Sequence, residues 1–133
     1  MSRQPDPIFI VEDDPDTLAA LVTLLQDKGL SVVTATNGEQ AVNQLSEGLR
    51  PRLMLIDLML PKVSGWDVLQ YLRERPELSD VPKIVITAFP RANLRVTADV
   101  VLYKPLDYDR LINAVLGLVG PGSRRTGPRT AVL

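Results

Sequence analysis

The chain has 133 residues, 45% hydrophobic and 23% charged, with a formal net charge of −1, the size and make-up of one globular domain with its own core. It holds no cysteine and no histidine, which excludes a disulfide framework, a thiolate metal site, a histidine base and a phosphohistidine carrier. No apolar run reaches the roughly 18 residues of a membrane span, and residues 1–7 (MSRQPDP) lack a signal-peptide core, so a cytoplasmic location is expected.

Short apolar runs alternate with helical patterns along the chain. IFIV (8–11) reads as a first strand. A helix follows, with Asp14 as N-cap, Pro15 at its first position, and Leu18, Leu21, Val22 and Leu25 on one stripe up to Gly29. SVVTA (31–35) is the second strand. The second helix follows Asn37, turns Ala41, Val42 and Leu45 inward, and ends near Gly48. LMLID (53–57) is the third strand; the helix after Ser64 turns in Val68, Leu69 and Leu72 and stops before Pro76. KIVIT (83–87) and DVVLY (99–103) are the fourth and fifth strands. A last helix follows Asp107, with Leu111, Ile112, Val115 and Leu116 expected inward, and stops around Gly117 to Gly120.

The fourth connection is different. Residues 88–98 (AFPRANLRVTA) contain Pro90 and no clean stripe. A crossover between parallel strands takes about a dozen residues or more, so any helix there is short or distorted.

The near-continuous apolar runs suit strands buried on both faces, and their alternation with helices implies right-handed parallel crossovers. The expected fold is α/β: a flavodoxin-like, doubly wound, five-stranded parallel sheet of order 2-1-3-4-5 with helices on both faces. The domain should span residues 6–120, after an extension at 1–5 and before a flexible tail at 121–133. That tail carries three Arg and no acid, leaving residues 1–120 with 12 basic and 16 acidic side chains. Such an acidic body argues against nucleic-acid binding.

In this architecture ligands bind beyond the carboxyl ends of the strands. Those ends carry Glu12 and Asp13, Asp57, Thr87, and Lys104 followed by Pro105. Taken singly, each has a plain reading: Asp14 nearby is a helix cap, Thr87 a strand threonine, Lys104 a surface lysine. Together they put three carboxylates, a hydroxyl and an ammonium on one edge. Crowded carboxylates repel, and a divalent cation relieves them. Oxygen donors without His or Cys favour Mg²⁺.

Val11-Glu12-Asp13, the D-x-x-x-P-x-x-x-G of Asp57, Pro61 and Gly65, Thr87-Ala88 and Lys104-Pro105 resemble the receiver domains of two-component response regulators, the CheY-like superfamily. The spacings of 44 residues from Asp13 to Asp57 and 30 from Asp57 to Thr87 also fit. The resemblance covers about residues 6–119. It implies that Asp57 is the phosphoacceptor, its carboxylate attacking a donor's phosphoryl group to give an acyl phosphate. Glu12, Asp13, Asp57 and the backbone carbonyl of Met59 would hold Mg²⁺. Lys104 would bind a phosphoryl oxygen next to a cis Lys104–Pro105 peptide, and Thr87 would turn its hydroxyl toward the phosphoryl group. Pro61 and Gly65 would shape the loop after the phosphorylated strand. The implied donor is a phosphohistidine on a sensor histidine kinase or phosphotransfer protein, docking mainly against the first helix. The implied output is binding of a downstream protein; the acidic body and the lack of a long apolar run argue separately against a role at nucleic acid or membrane. The chain is then an acceptor domain and not a dedicated enzyme. No output module follows residue 119, so the expectation is a stand-alone receiver or a fragment of a larger protein.

The chain departs from the family on the output side. Val101 stands where an aromatic residue is usual, and Tyr103 lies one place before the lysine, on the opposite face to Leu102. Thr87 and Lys104 are 17 residues apart, closer than usual. The expected output face is therefore atypical, and a homodimer through a non-standard face stays open. Met59 and Phe89, two places after Asp57 and Thr87, flank the expected route of hydrolytic water and should slow phosphate loss. The alternative is a pseudo-receiver, an interaction scaffold that keeps the fold without a phosphorylation cycle. A haloacid-dehalogenase-type phosphatase fits poorly, because Asp14-Pro15-Asp16-Thr17-Leu18 places its threonine one position early. A flavodoxin fits poorly because the acidic edge repels a flavin phosphate.

Overall fold

Six parallel strands form one sheet of order β2-β1-β3-β4-β5-β6 in a computed structural model that describes residues 6–120 and 131–132. They are β1 (Ile8–Val11), β2 (Val32–Ala35), β3 (Leu53–Asp57), β4 (Lys83–Thr87), β5 (Val100–Tyr103) and β6 (Ala131–Val132). The first five stand in the expected order, and β6 extends the β5 edge through Val100↔Ala131 and Val101↔Val132. Most of the tail (121–130 and 133) and the extension at 1–5 lie outside the described residues.

Four helices lie between the strands: α1 (Pro15–Asp27), α2 (Gly38–Ser46), α3 (Gly65–Arg73) and α4 (Tyr108–Val119). Each begins on a side chain that satisfies free backbone donors. The Asp14 carboxylate accepts from the Thr17 N–H at 2.9 Å, Asn37 from Gln40 at 2.8 Å, and Asp107 from Asp109 at 3.0 Å and Arg110 at 3.2 Å. Ser64 and Asp67 make a reciprocal capping box. None of these helices is long and apolar enough to cross a membrane.

The central strands β1, β3 and β4 are buried at every residue, so each presents an apolar row to both faces. On one face, Leu21 and Leu25 of α1 and Leu111, Ile112 and Val115 of α4 pack on Ile8, Ile10, Leu55 and Ile84. On the other, α2 and α3 pack through Ala41, Leu45, Val68, Leu69 and Leu72 on Phe9, Met54, Ile56 and Val85. Leu102 belongs to the first core and Tyr103 to the second, as alternation requires. One expectation needs correction: Leu116 is 39% exposed. Ile112, four residues earlier, already marks the rim of the stripe at 8% exposure, and Val119 takes the inward place at the helix end.

The fourth crossover holds no α-helix. Its regular structure is one 3-10 turn, Arg91–Asn93, after which Leu94 and Val96 lie half-buried against the core beside α3. This short strap bears out the expectation of a reduced fourth helix.

The candidate functional site at the carboxyl edge

Strand register delivers the predicted residues to one edge. Val11, the last residue of β1, pairs with Ile56, and Asp57 then ends β3. Asp57 pairs with Ile86, and Thr87 with Tyr103, so Glu12, Asp57, Thr87 and Lys104 emerge within two residue steps of each other. Carboxylate oxygens of Glu12, Asp13 and Asp57 lie within 4.8 Å of one another. Glu12 is fully buried, Asp57 3% exposed, and Asp13 open to solvent.

Lys104 binds this acid group together. Its Nζ donates to Asp57 Oδ2 at 2.9 Å and sits 3.0 Å from Glu12 Oε1. The second contact is an ion pair without hydrogen-bond alignment, so Glu12 Oε1 is a buried acceptor with no hydrogen bond. Glu12 Oε2 accepts the Asp14 N–H at 3.1 Å. Burial pushes the Glu12 carboxyl up to about 7, with the nearby Asp57 charge acting the same way; the Asp14 N–H and Lys104 oppose it. Burial works against the Lys104 ammonium, but its contacts with Asp57 and Glu12 outweigh this and raise its pKa. Lys104 therefore stays charged at neutral pH.

The loop after β3 is held by close backbone approach. The Gly65 N–H donates to the Leu58 carbonyl at 2.9 Å, and a Cβ at Gly65 would run into the Asp57 carbonyl. Only glycine lets α3 begin there. Lys62 at φ 67 turns the intervening loop. The Met59 N–H donates to Asp57 Oδ1 at 3.0 Å, while its side chain is 56% exposed. Thr87 is fully buried, and its Oγ1 accepts the Phe89 N–H at 2.9 Å. The Lys104–Pro105 peptide is cis, as the resemblance implied.

These donors fit a small hard cation. They are all oxygen, they are already gathered, and one buried lone pair has no hydrogen bond to lose. Glu12, Asp13, Asp57, Thr87 and Lys104 thus sit at one edge as the strand ends required. The sequence reading missed a link leading away from it. The Phe89 ring meets Trp66 edge-on at 5.3 Å between centroids, and the Trp66 indole N–H donates to the Arg95 carbonyl at 2.8 Å. That bond crosses 29 residues and ends in an irregular segment, where no periodic signal exists to reveal it. Arg91 likewise stacks 4.1 Å over the Tyr103 ring.

Comparison with known proteins agrees with this geometry. Residues 8–116 match the family described as response regulator receiver domain. An uncharacterized 14.6 kDa protein of Leptolyngbya boryana is 35% identical over 113 residues, 81% of this chain and 86% of its own. The solved receiver domain of a signal transduction histidine kinase from Syntrophus aciditrophicus superposes with a TM-score of 0.81 at 28% identity, over 92% of this chain and 97% of that one. The receiver domain of a sensor histidine kinase from Pseudomonas aeruginosa PAO1, solved with magnesium in its active-site cleft, gives 0.76 at 25% identity, over 85% and 96%. Some relatives are longer: the chain spans 38% of a probable transcriptional regulator of Pyropia yezoensis.

Proposed function

Because the chain belongs to the response regulator receiver domain family, we propose that it is a phosphorylatable module that takes a phosphoryl group on Asp57 from a phosphohistidine donor and signals by protein–protein contact. The observation that carries this is the pairing of Asp57 with Lys104 at 2.9 Å inside the Glu12–Asp13–Asp57 group. In the transfer, one Asp57 carboxylate oxygen bonds to phosphorus in line as the bond to the donor imidazole breaks, and that nitrogen keeps the electron pair. The Lys104 ammonium pairs with a phosphoryl oxygen. Thr87, on the adjacent strand, turns its hydroxyl toward the same group. Glu12, Asp13, Asp57 and the Met59 carbonyl would hold Mg²⁺, which when bound offsets the charge of the phosphoryl oxygens.

The donor is a sensor histidine kinase or phosphotransfer protein, the setting cytoplasmic, and the chain an acceptor and not a dedicated enzyme. The strap at residues 88–99 gives the module an atypical output face. The same strap favours a second reading, a scaffold that keeps the fold without the phosphate cycle. Incubation with acetyl phosphate and Mg²⁺, followed by intact mass, decides between them. A gain of one phosphoryl mass that is lost in Asp57→Asn is expected; no gain under any condition leaves the scaffold.

A further inference from the structure

With no α-helix in the fourth crossover, a crevice of about 460 Å³ opens between α3 and residues 95–97. Trp66, Gln70, Arg73, Arg95 and Thr97 line it. Asp67 also lines it, but its carboxylate is held by the Ser64 N–H at 3.3 Å and hydroxyl at 3.1 Å. The two guanidinium groups are the notable feature. Both arginines are exposed. Arg95 donates to the Leu94 carbonyl at 3.2 Å, and neither arginine pairs with a carboxylate among the described residues. On a body whose residues 1–120 carry more acid than base, such a site is complementary to carboxylates.

The crevice is also wired to the carboxyl edge. Thr87 Oγ1 accepts the Phe89 N–H at 2.9 Å. The Phe89 ring meets Trp66 at 5.3 Å and 81°. The Trp66 indole N–H holds the Arg95 carbonyl at 2.8 Å. A Thr87 hydroxyl that rotates toward a phosphoryl group withdraws its oxygen from Phe89. That releases the Phe89 backbone, whose ring packs on Trp66, and Trp66 holds the backbone that carries Arg95.

We propose that this crevice docks an acidic segment of a partner protein, its carboxylates pairing with Arg73 and Arg95, and that Phe89 and Trp66 tie the crevice to the phosphoryl state of Asp57. The gating half rests on the reading of Asp57 as phosphoacceptor; the docking half does not. Trp66 acts here as a positioning residue.

The chain has one tryptophan, so its fluorescence reports the crevice directly. In the full chain with Mg²⁺, beryllofluoride should shift or quench Trp66 emission. A fluorescein-labelled acidic peptide, DLEDLED, should bind about tenfold more tightly than its amide counterpart NLQNLQN, and the Arg73→Gln/Arg95→Gln variant should remove that difference. Beryllofluoride should change the DLEDLED affinity by about threefold or more in the wild type. In Trp66→Phe, which keeps an aromatic ring but loses the indole donor, it should leave the affinity unchanged while acetyl phosphate still adds one phosphoryl mass. Equal binding of the two peptides, or no loss in the arginine variant, overturns the docking site. A gain of phosphoryl mass with unchanged Trp66 emission and unchanged peptide affinity overturns the gating. No gain of mass overturns the gating together with its premise, and the peptide comparison still decides the docking site.

Discussion

The third and fourth crossovers start from adjacent strands and are built in opposite ways. After β3 the chain is pinned: Gly65 presses on the Asp57 carbonyl, a capping box starts α3, and Val68, Leu69 and Leu72 sink into the core. After β4 the chain makes a single 3-10 turn with no side-chain cap and lies half-buried as a strap. The difference separates two tasks. Chemistry needs side chains fixed to within fractions of an ångström, and the pinned loop sets Asp57. A contact surface tolerates looser backbone, and in the function proposed above the strap is that surface, shortened without disturbing the acidic edge.

The largest test of the contrast is at Asp57. Asp57→Asn should abolish phosphoryl gain from acetyl phosphate, whereas Ala92→Gly in the strap should leave it unchanged by intact mass. Next comes stability. Gly65→Ala forces a Cβ into backbone and should cost about 2 kcal/mol or more in a urea titration. Ala92→Gly, exposed in the 3-10 turn, should stay within about 0.5 kcal/mol. A comparable effect on the two would erase the distinction between them.

A third test uses pH. Glu12 has a carboxyl value of about 7 in the fold against 4.5 for an ordinary glutamate. The folded state therefore holds that proton more tightly than the unfolded chain does. Between these values the metal-free protein should lose stability as pH rises. Urea midpoints in chelator should fall from pH 5 to pH 7.5, and Glu12→Gln should flatten the trend; a rising midpoint contradicts the assignment. The smallest effect concerns phosphate lifetime. Met59 is open to solvent and Phe89 is half-buried against Trp66. Replacing both with asparagine should speed loss of the acyl phosphate several-fold, and an unchanged rate removes them from the water route.

The sheet and the site were legible for one reason. Apolar runs mark strands, and parallel strands all end at the same edge. Glu12, Asp13, Asp57, Thr87 and Lys104 could thus be grouped from their places alone. Leu116 was misplaced because helical periodicity gives a stripe but not the angle at which the helix lies on the sheet, and its rim falls at Ile112. Strand β6 gave too little signal, four residues (TAVL) behind a Pro-, Gly- and Arg-rich stretch. The Phe89–Trp66–Arg95 link was invisible because it joins a helix start to an aperiodic strap, and only the fold brings those together.

The contact at Gly65 has one more consequence. Residues 58–64 must leave Asp57 and return to its carbonyl oxygen, so this segment works as a ruler of fixed length. An insertion there lifts the following helix off the sheet, and a deletion drags the aspartate out of line. Among the described residues the strap carries no such return contact to Asp57, so a change of length there leaves the aspartate where it is.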